Sequence, residues 1–246
     1  MGTVIVLTSG KGGTGKTALT AGLSVALAGL GHSVLCIDCD IGLRNLDISL
    51  GMTDVVLMDF TDVMAGRCSL ERAAVPHPII KGLSLLTAPM SLPDDGQLEN
   101  SAFKALLASA REHYDYILID SPAGLGIGFR LAICDTDEAI VVSTGDAASL
   151  RDAQRVVTEL SYVPVIRLVV NRIQPKLLRR LCSTIDDLMD ALGLPLLGLV
   201  PEDPQVILAA SCGRPLAQTD PKGAAVAYSN IAKRLTGRQV PLMKLR

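Results

Sequence analysis

The chain has 246 residues, 49% of them apolar and 20% charged, with a formal net charge of −2. That size suits a single α/β domain with a sheet covered on both faces, whereas the near-neutral charge, no Trp, 3 Phe and 4 Tyr disfavour nucleic acid as an obligatory partner. The 6 scattered Cys, no basic-then-apolar leader and no apolar run near the ~20 residues of a membrane span predict a reducing cytoplasm, with any membrane contact peripheral.

The first apolar run, Val4-Ile5-Val6-Leu7, leads into Gly10-Lys11-Gly12-Gly13-Thr14-Gly15-Lys16-Thr17, and Ala18 then opens an Ala/Leu-rich helical segment. The spacing G-x-x-x-x-G-K-[ST] between a strand and a helix is that of a phosphate loop. Its glycines let backbone N–H groups converge on phosphate oxygens, and the helix adds its positive end. Lys16 is expected to reach the β- and γ-phosphates of ATP, and the Thr17 hydroxyl to hold Mg²⁺. Lys11 is a second lysine that such a cradle does not require.

The pattern K-G-G-x-G-K-[ST], matched from Lys11 to Thr17, resembles the deviant Walker A (MinD/ParA) ATPase family. The resemblance implies a homodimer in the ATP state, in which Lys11 crosses to the partner's phosphates and joins Lys16 as a catalytic group.

Further strand-like runs lie at 34–39, 83–87, 116–120, 139–143, 167–171 and 196–200, after the first at 3–8. Their near-continuous hydrophobicity predicts parallel pairing. Helical patterns cover 15–29, 54–65, 99–113, 149–160, 178–192 and 223–236. The expected fold class is α/β: a doubly wound, mainly parallel sheet of about seven or eight strands with helices on both faces, as in P-loop NTPases. Residues 1–236 are expected to form the ATPase domain and 237–246 a C-terminal tail.

The second strand carries Asp38 and Asp40 at its carboxyl end, where ligand chemistry collects in such sheets. Cys36 and Cys39 read as small buried residues, because a strand turns residues three apart to opposite faces and no second pair completes a metal site. The stretch Asp38 to Asp47 matches D-x-D-x-G-L-R-N-L-D and resembles switch I of the family's cell-division branch. By that resemblance Asp40 positions and polarises the attacking water, and Asn45 helps hold the water or the switch. Asp38 acts through Mg²⁺-bound water, or else caps a helix.

Residues 66–100 read as loops around one strand, punctuated by Pro76, Pro78, Pro89 and Pro93 with Asp94-Asp95-Gly96, and His77 reads as exposed. Tyr116 to Asp120 has the form of a Walker B strand, so Asp120 is the third expected metal group, with Thr17 and Asp38. It continues into Ser121-Pro122-Ala123-Gly124, again similar to the cell-division branch, where the Gly124 N–H would meet the γ-phosphate. Positions 121–130 lack the cysteine of the family's reductase and iron–sulfur branches.

Ser149 reads as the N-cap of the next helix, with Arg151 and Asp152 in its first turn either meeting Lys11 or a dimer partner or simply solvated. The resemblance puts Asn171 and Arg172 beside the adenine, with Pro201, Glu202 and Asp203 as the second base contact. Arg172, Lys176, Arg179 and Arg180 form a basic cluster that reads as a solvated helix start rather than a DNA contact. In the tail, Leu242, Met243 and Leu245 with Lys244 and Arg246 make either one turn at an anionic lipid surface or a frayed end. The family further implies division-inhibitor and activator proteins as partners in placing the septum. A DNA- or flagellum-positioning ATPase and a nucleotide-binding scaffold without turnover are the alternatives.

Overall fold

The structure, a computed structural model, describes residues 1–53, 58–91, 98–180, 184–216 and 222–243, without the Arg179 side chain. The described strands are β1 (Thr3–Thr8), β2 (Val34–Asp38), β3 (Val75–Pro76), β4 (Leu83–Leu86), β5 (Tyr116–Asp120), β6 (Glu138–Ser143), β7 (Val165–Ile173) and β8 (Leu196–Pro201). The described helices are α1 (Lys16–Gly29), α2 (Asn45–Leu50), α3 (Phe60–Met64), α4 (Leu70–Ala73), α5 (Asn100–His113) and α6 (Ile127–Ala132). They continue with α7 (Ala147–Glu159), α8 (Pro175–Arg180), α9 (Ile185–Leu192), α10 (Pro204–Ser211) and α11 (Gly223–Leu235).

The strands make one eight-stranded sheet in the order β3-β4-β2-β5-β1-β6-β7-β8. Every pairing is parallel except that of β3 with β4. Alternate residues of β1 show why the runs are continuously apolar: Val4 and Val6 belong to the core beneath α3, α5, α6, α7 and α9, whereas Ile5 and Leu7 belong to the core beneath α1, α2, α10 and α11. α1 comes close to α11 at Gly22, where a Cβ would lie 2.1 Å from the Tyr228 ring. On the other face Phe60 of α3 meets Phe103 of α5 edge-on at 5.7 Å.

The chain order turns about β1, which has β5 on one side and β6 on the other. Register then sets Asp120 level with Asp38 and with Leu7, two residues before the loop leaves β1. Three strand ends therefore converge at the topological switch point.

Several local expectations are corrected. The helix predicted from 149 begins at Ala147, and its cap is Asp146, whose carboxylate accepts the Ser149 N–H at 3.0 Å. Ser149 is instead buried, with its hydroxyl against Ser143 Oγ at 3.1 Å. His77 is buried rather than exposed: its Nδ1 accepts the N–H groups of Ile79 and Ile80, and its Nε2 lies 3.0 Å from the Leu50 carbonyl.

The predicted helix 54–65 is described only from residue 58, as α3, which opens on a capping box between Asp59 and Asp62. The pattern 178–192 corresponds to α8 and α9, with 181–183 outside the described residues. β3, α2, α4, α6 and α10 went unpredicted because two to eight residues give little periodicity to read. The tail to Met243 is tied down rather than frayed: the Arg234 guanidinium donates to the carbonyls of Leu197, Val240 and Pro241, and Met243 packs on the core. Lys244, Leu245 and Arg246 lie outside the described residues, as do Pro93 and Asp94-Asp95-Gly96.

Candidate active site

α1 begins in the phosphate loop. Its N-cap is Gly15, left-handed at φ 81° and with no side-chain cap, so the first-turn N–H groups remain available to an anion. A Cβ at Gly15 would lie 2.6 Å from Asn171 Nδ2, so both conformation and space demand glycine. Thr14 N–H and Gly15 N–H donate to no acceptor among the described residues.

Behind the loop lies a buried polar floor. Lys16 Nζ donates to Asp120 Oδ1 at 2.8 Å, and Thr17 Oγ1 donates to Asp120 Oδ2 at 2.6 Å. Thr20, absent from the sequence reading, adds a hydroxyl at 3.2 Å from Asp120 Oδ1. Its signal was available: it stands four residues after Lys16 and so shares its helix face. The two sides of the floor are built from different elements, with Lys16, Thr17 and Thr20 on α1 and Asp120 at the end of β5.

Asp38 is buried next to Asp120, and its carboxylate accepts Asp40 N–H at 2.8 Å and Leu46 N–H at 3.1 Å. It therefore holds both ends of the turn into α2. Burial, reinforced by the charge of Asp120, pushes its carboxyl up to about 7. Two adjoining acids and a threonine hydroxyl make an all-oxygen donor set, which suits Mg²⁺, an ion that retains water and phosphate ligands. With both oxygens engaged by backbone, Asp38 suits contact through water.

Asp40 stands at the rim, half-buried; burial raises its carboxyl above the usual range, while the Lys16 charge opposes the rise. Asn45, the first residue of α2, is exposed. The turn into α2 is anchored by Arg44, whose Nη2 meets Thr87 Oγ1 at 3.1 Å and whose Nε meets the Ala88 carbonyl at 2.5 Å. Arg44 is left-handed at φ 46°, a strained conformation for a side chain that could not be read from the sequence. Gly124 is left-handed at φ 83°, and nothing lies within 4 Å of where its Cβ would be.

Lys11 Nζ lies 3.8 Å from Asp146 Oδ1, both side chains about half exposed. Its partner is thus Asp146 rather than Arg151 or Asp152. The Asp152 backbone instead packs on Gly10, where a Cβ would lie 2.3 Å from its carbonyl oxygen. Thr144 Oγ1 and the Ser149 N–H hold the Asp146 carboxyl below the usual range.

Beside the loop a cavity of about 370 Å³ is lined by Gly15, Ala18, Asn171, Arg172, Pro201 and Glu202, among others. That volume lies within the usual span of ligand clefts. Asp203 also lines it, but its carboxylate accepts the N–H groups of Gln205 and Ala224, capping α10 and steadying α11. The Asp203 carboxylate is thus engaged within the protein rather than left open to the cavity. The structure thus gathers the expected phosphate, metal and base-side residues at the carboxyl ends of the strands, with Lys11, Asp40, Asn45 and Gly124 on the segments that follow them.

A family described as the CobQ/CobB/MinD/ParA nucleotide binding domain matches residues 5–216. The septum site-determining protein MinD of Synechocystis sp. is 38% identical over 247 residues, which cover 99% of this chain and 92% of that protein. The MinC:MinD cell division protein complex of Aquifex aeolicus contains a chain with TM-score 0.87 and 37% identity, covering 98% of each chain. The septum site-determining protein MinD complexed with Mg-ADP from Pyrococcus horikoshii OT3 has TM-score 0.83 and 31% identity, covering 96% of each chain.

Proposed function

This chain belongs to the CobQ/CobB/MinD/ParA nucleotide-binding family, and on that premise we propose that it is a MinD-like cell-division ATPase which closes on itself as a homodimer over ATP. The observation that carries the reading is the buried contact of Lys16 and Thr17 with Asp120, set behind a loop whose Thr14 and Gly15 N–H groups are free to take phosphate.

ATP is the substrate. The loop N–H groups and the Lys16 ammonium bind its phosphates, and the cavity beside Asn171 and Pro201 takes the base. Mg²⁺, when bound, offsets phosphate charge; Thr17, Asp120 and, through water, Asp38 are the groups that would hold it. Asp40, which stands at the rim with its carboxyl raised by burial, positions and polarises the attacking water. Asn45 and the Gly124 N–H steady the water and the γ-phosphate. Lys11, held only loosely at the rim, swings to the phosphates of the second copy. Hydrolysis alone is slow, because a closed partner subunit completes each site.

The Aquifex complex supports a division-inhibitor protein as partner. An activating protein and an anionic membrane surface complete the proposed cycle, with residues 1–236 as the ATPase domain and 237–246 as the membrane-facing tail. Among the described residues no helix is long and apolar enough to cross a membrane.

Two assays test this reading. In sedimentation with ATP and Mg²⁺, the wild type dimerises and releases phosphate, and Asp40→Ala dimerises without releasing it; a wild type that binds ATP without turnover would make the protein a scaffold. ATP-dependent co-sedimentation with anionic liposomes is expected to exceed retention by duplex DNA at physiological salt. The reverse result overturns the septum reading in favour of DNA positioning.

A further inference from the structure

The geometry points to Arg172 as a positioning residue that aims the phosphate loop from its outer side, without itself touching the phosphates. Arg172 Nη1 donates to the Gly13 carbonyl at 2.8 Å, and Asn171 Nδ2 donates to the Thr14 carbonyl at 2.8 Å. Two consecutive residues at the end of β7 thus hold two consecutive carbonyls of a loop nearly 160 positions earlier.

The consequence follows from peptide geometry. In a planar trans peptide the C=O and the N–H of the next residue point in opposite directions. Drawing Gly13 O towards Arg172 therefore turns the Thr14 N–H away from it, and drawing Thr14 O towards Asn171 does the same for the Gly15 N–H. These are two donors left without a protein acceptor among the described residues. The pair acts as an outer clamp, and the donors turn to the loop's other side.

Arg172 is itself held in place. Its Nε and Nη2 fork onto Glu202 Oε2 and Oε1 at 2.8 and 3.2 Å. Its backbone is left-handed at φ 55°, a conformation that a side chain keeps only where its surroundings enforce it. Glu202 and Arg172 also line the cavity assigned to the base, so one chain of contacts runs from that cavity wall through the guanidinium to Gly13. Through it the wall of the base site sets the aim of the phosphate donors.

This inference rests on the nucleotide reading above, and the test separates the two. Arg172→Gly removes the fork while relieving the backbone strain, so folding is preserved; Arg172→Lys keeps the charge but not the fork. ADP affinity is measured by calorimetry, and adenosine affinity by ligand-observed NMR titration. Both variants are expected to lose about tenfold in ADP affinity, as for a charge-assisted hydrogen bond, and to lose clearly less in adenosine affinity. An equal loss for adenosine would mean that Arg172 contacts the base. Unchanged ADP affinity in both variants would mean that the loop holds its aim unaided. Either result overturns the positioning role while leaving the nucleotide reading intact, whereas a wild type that fails to bind ADP removes both.

Discussion

Two lysines five positions apart meet carboxylates in very different ways. Lys16, 7% exposed, is in contact at 2.8 Å with Asp120, 1% exposed, and both oxygens of that acid are occupied. Lys11, 48% exposed, lies 3.8 Å from Asp146, 45% exposed. The first pair is walled in by α1 and β5 and belongs to the folding core; the second sits between glycines in a solvated loop, where ion pairing contributes little. A site built this way keeps its floor rigid and leaves its rim free for something outside the chain to engage.

The sharpest way to break the contrast is Asp120→Ala. It leaves the Lys16 ammonium buried without its counter-charge, and the loss of one partner from such a pair costs about 3–5 kcal/mol. Denaturant unfolding should show that loss, and phosphate release should fall to background. A loss below about 1 kcal/mol would mean that the floor is no more structural than the rim.

A smaller effect is expected where the switch helix is moored to the rest of the fold. His77 has its Nδ1 facing two N–H groups, which leaves no place for a second proton, and burial holds its pKa below the ordinary value. The unfolded chain therefore takes up the proton first. Stability contributed by neutral His77 is present above pH ~6.5 and is lost as pH falls below it, by at most ~1.4 kcal/mol per pH unit. Unfolding measured from pH 8 to 5 should decline more steeply below 6.5 in the wild type than in His77→Gln. Parallel curves would exclude the mooring.

The smallest stability effect belongs to Lys11→Ala, expected within about 0.5 kcal/mol of the wild type. Yet the same substitution should retain nucleotide binding while abolishing ATP-dependent dimerisation and hydrolysis. Retained dimers and phosphate release would refute its role across the interface.

What could be read before folding follows the range of each interaction. The phosphate loop, Asp38 and Asp120 were legible because each is a strand end or a fixed short spacing, and local chemistry prescribes both. Cys36 and Cys39 were correctly read as buried by the same strand logic. His77 was misread because the two N–H groups that its Nδ1 accepts come from the turn that follows it, and the carbonyl that its Nε2 faces belongs to Leu50, 27 residues away. Ser149 was misread as a cap because the true cap, Asp146, offers the same chemistry three residues earlier.

The sequence alone determined that a glycine-rich loop carrying two lysines would follow a buried parallel strand and open a helix, since those requirements are written in neighbouring residues. Only the tertiary structure decided who holds the loop and the switch: Arg172 on Gly13, Asn171 on Thr14, Arg44 on Ala88 and Asp146 near Lys11. Those partners lie between about 40 and 160 positions apart, and no local rule couples residues at such distances. The packing of strands β1, β6 and β7, with the loops that leave them, brings most of them together.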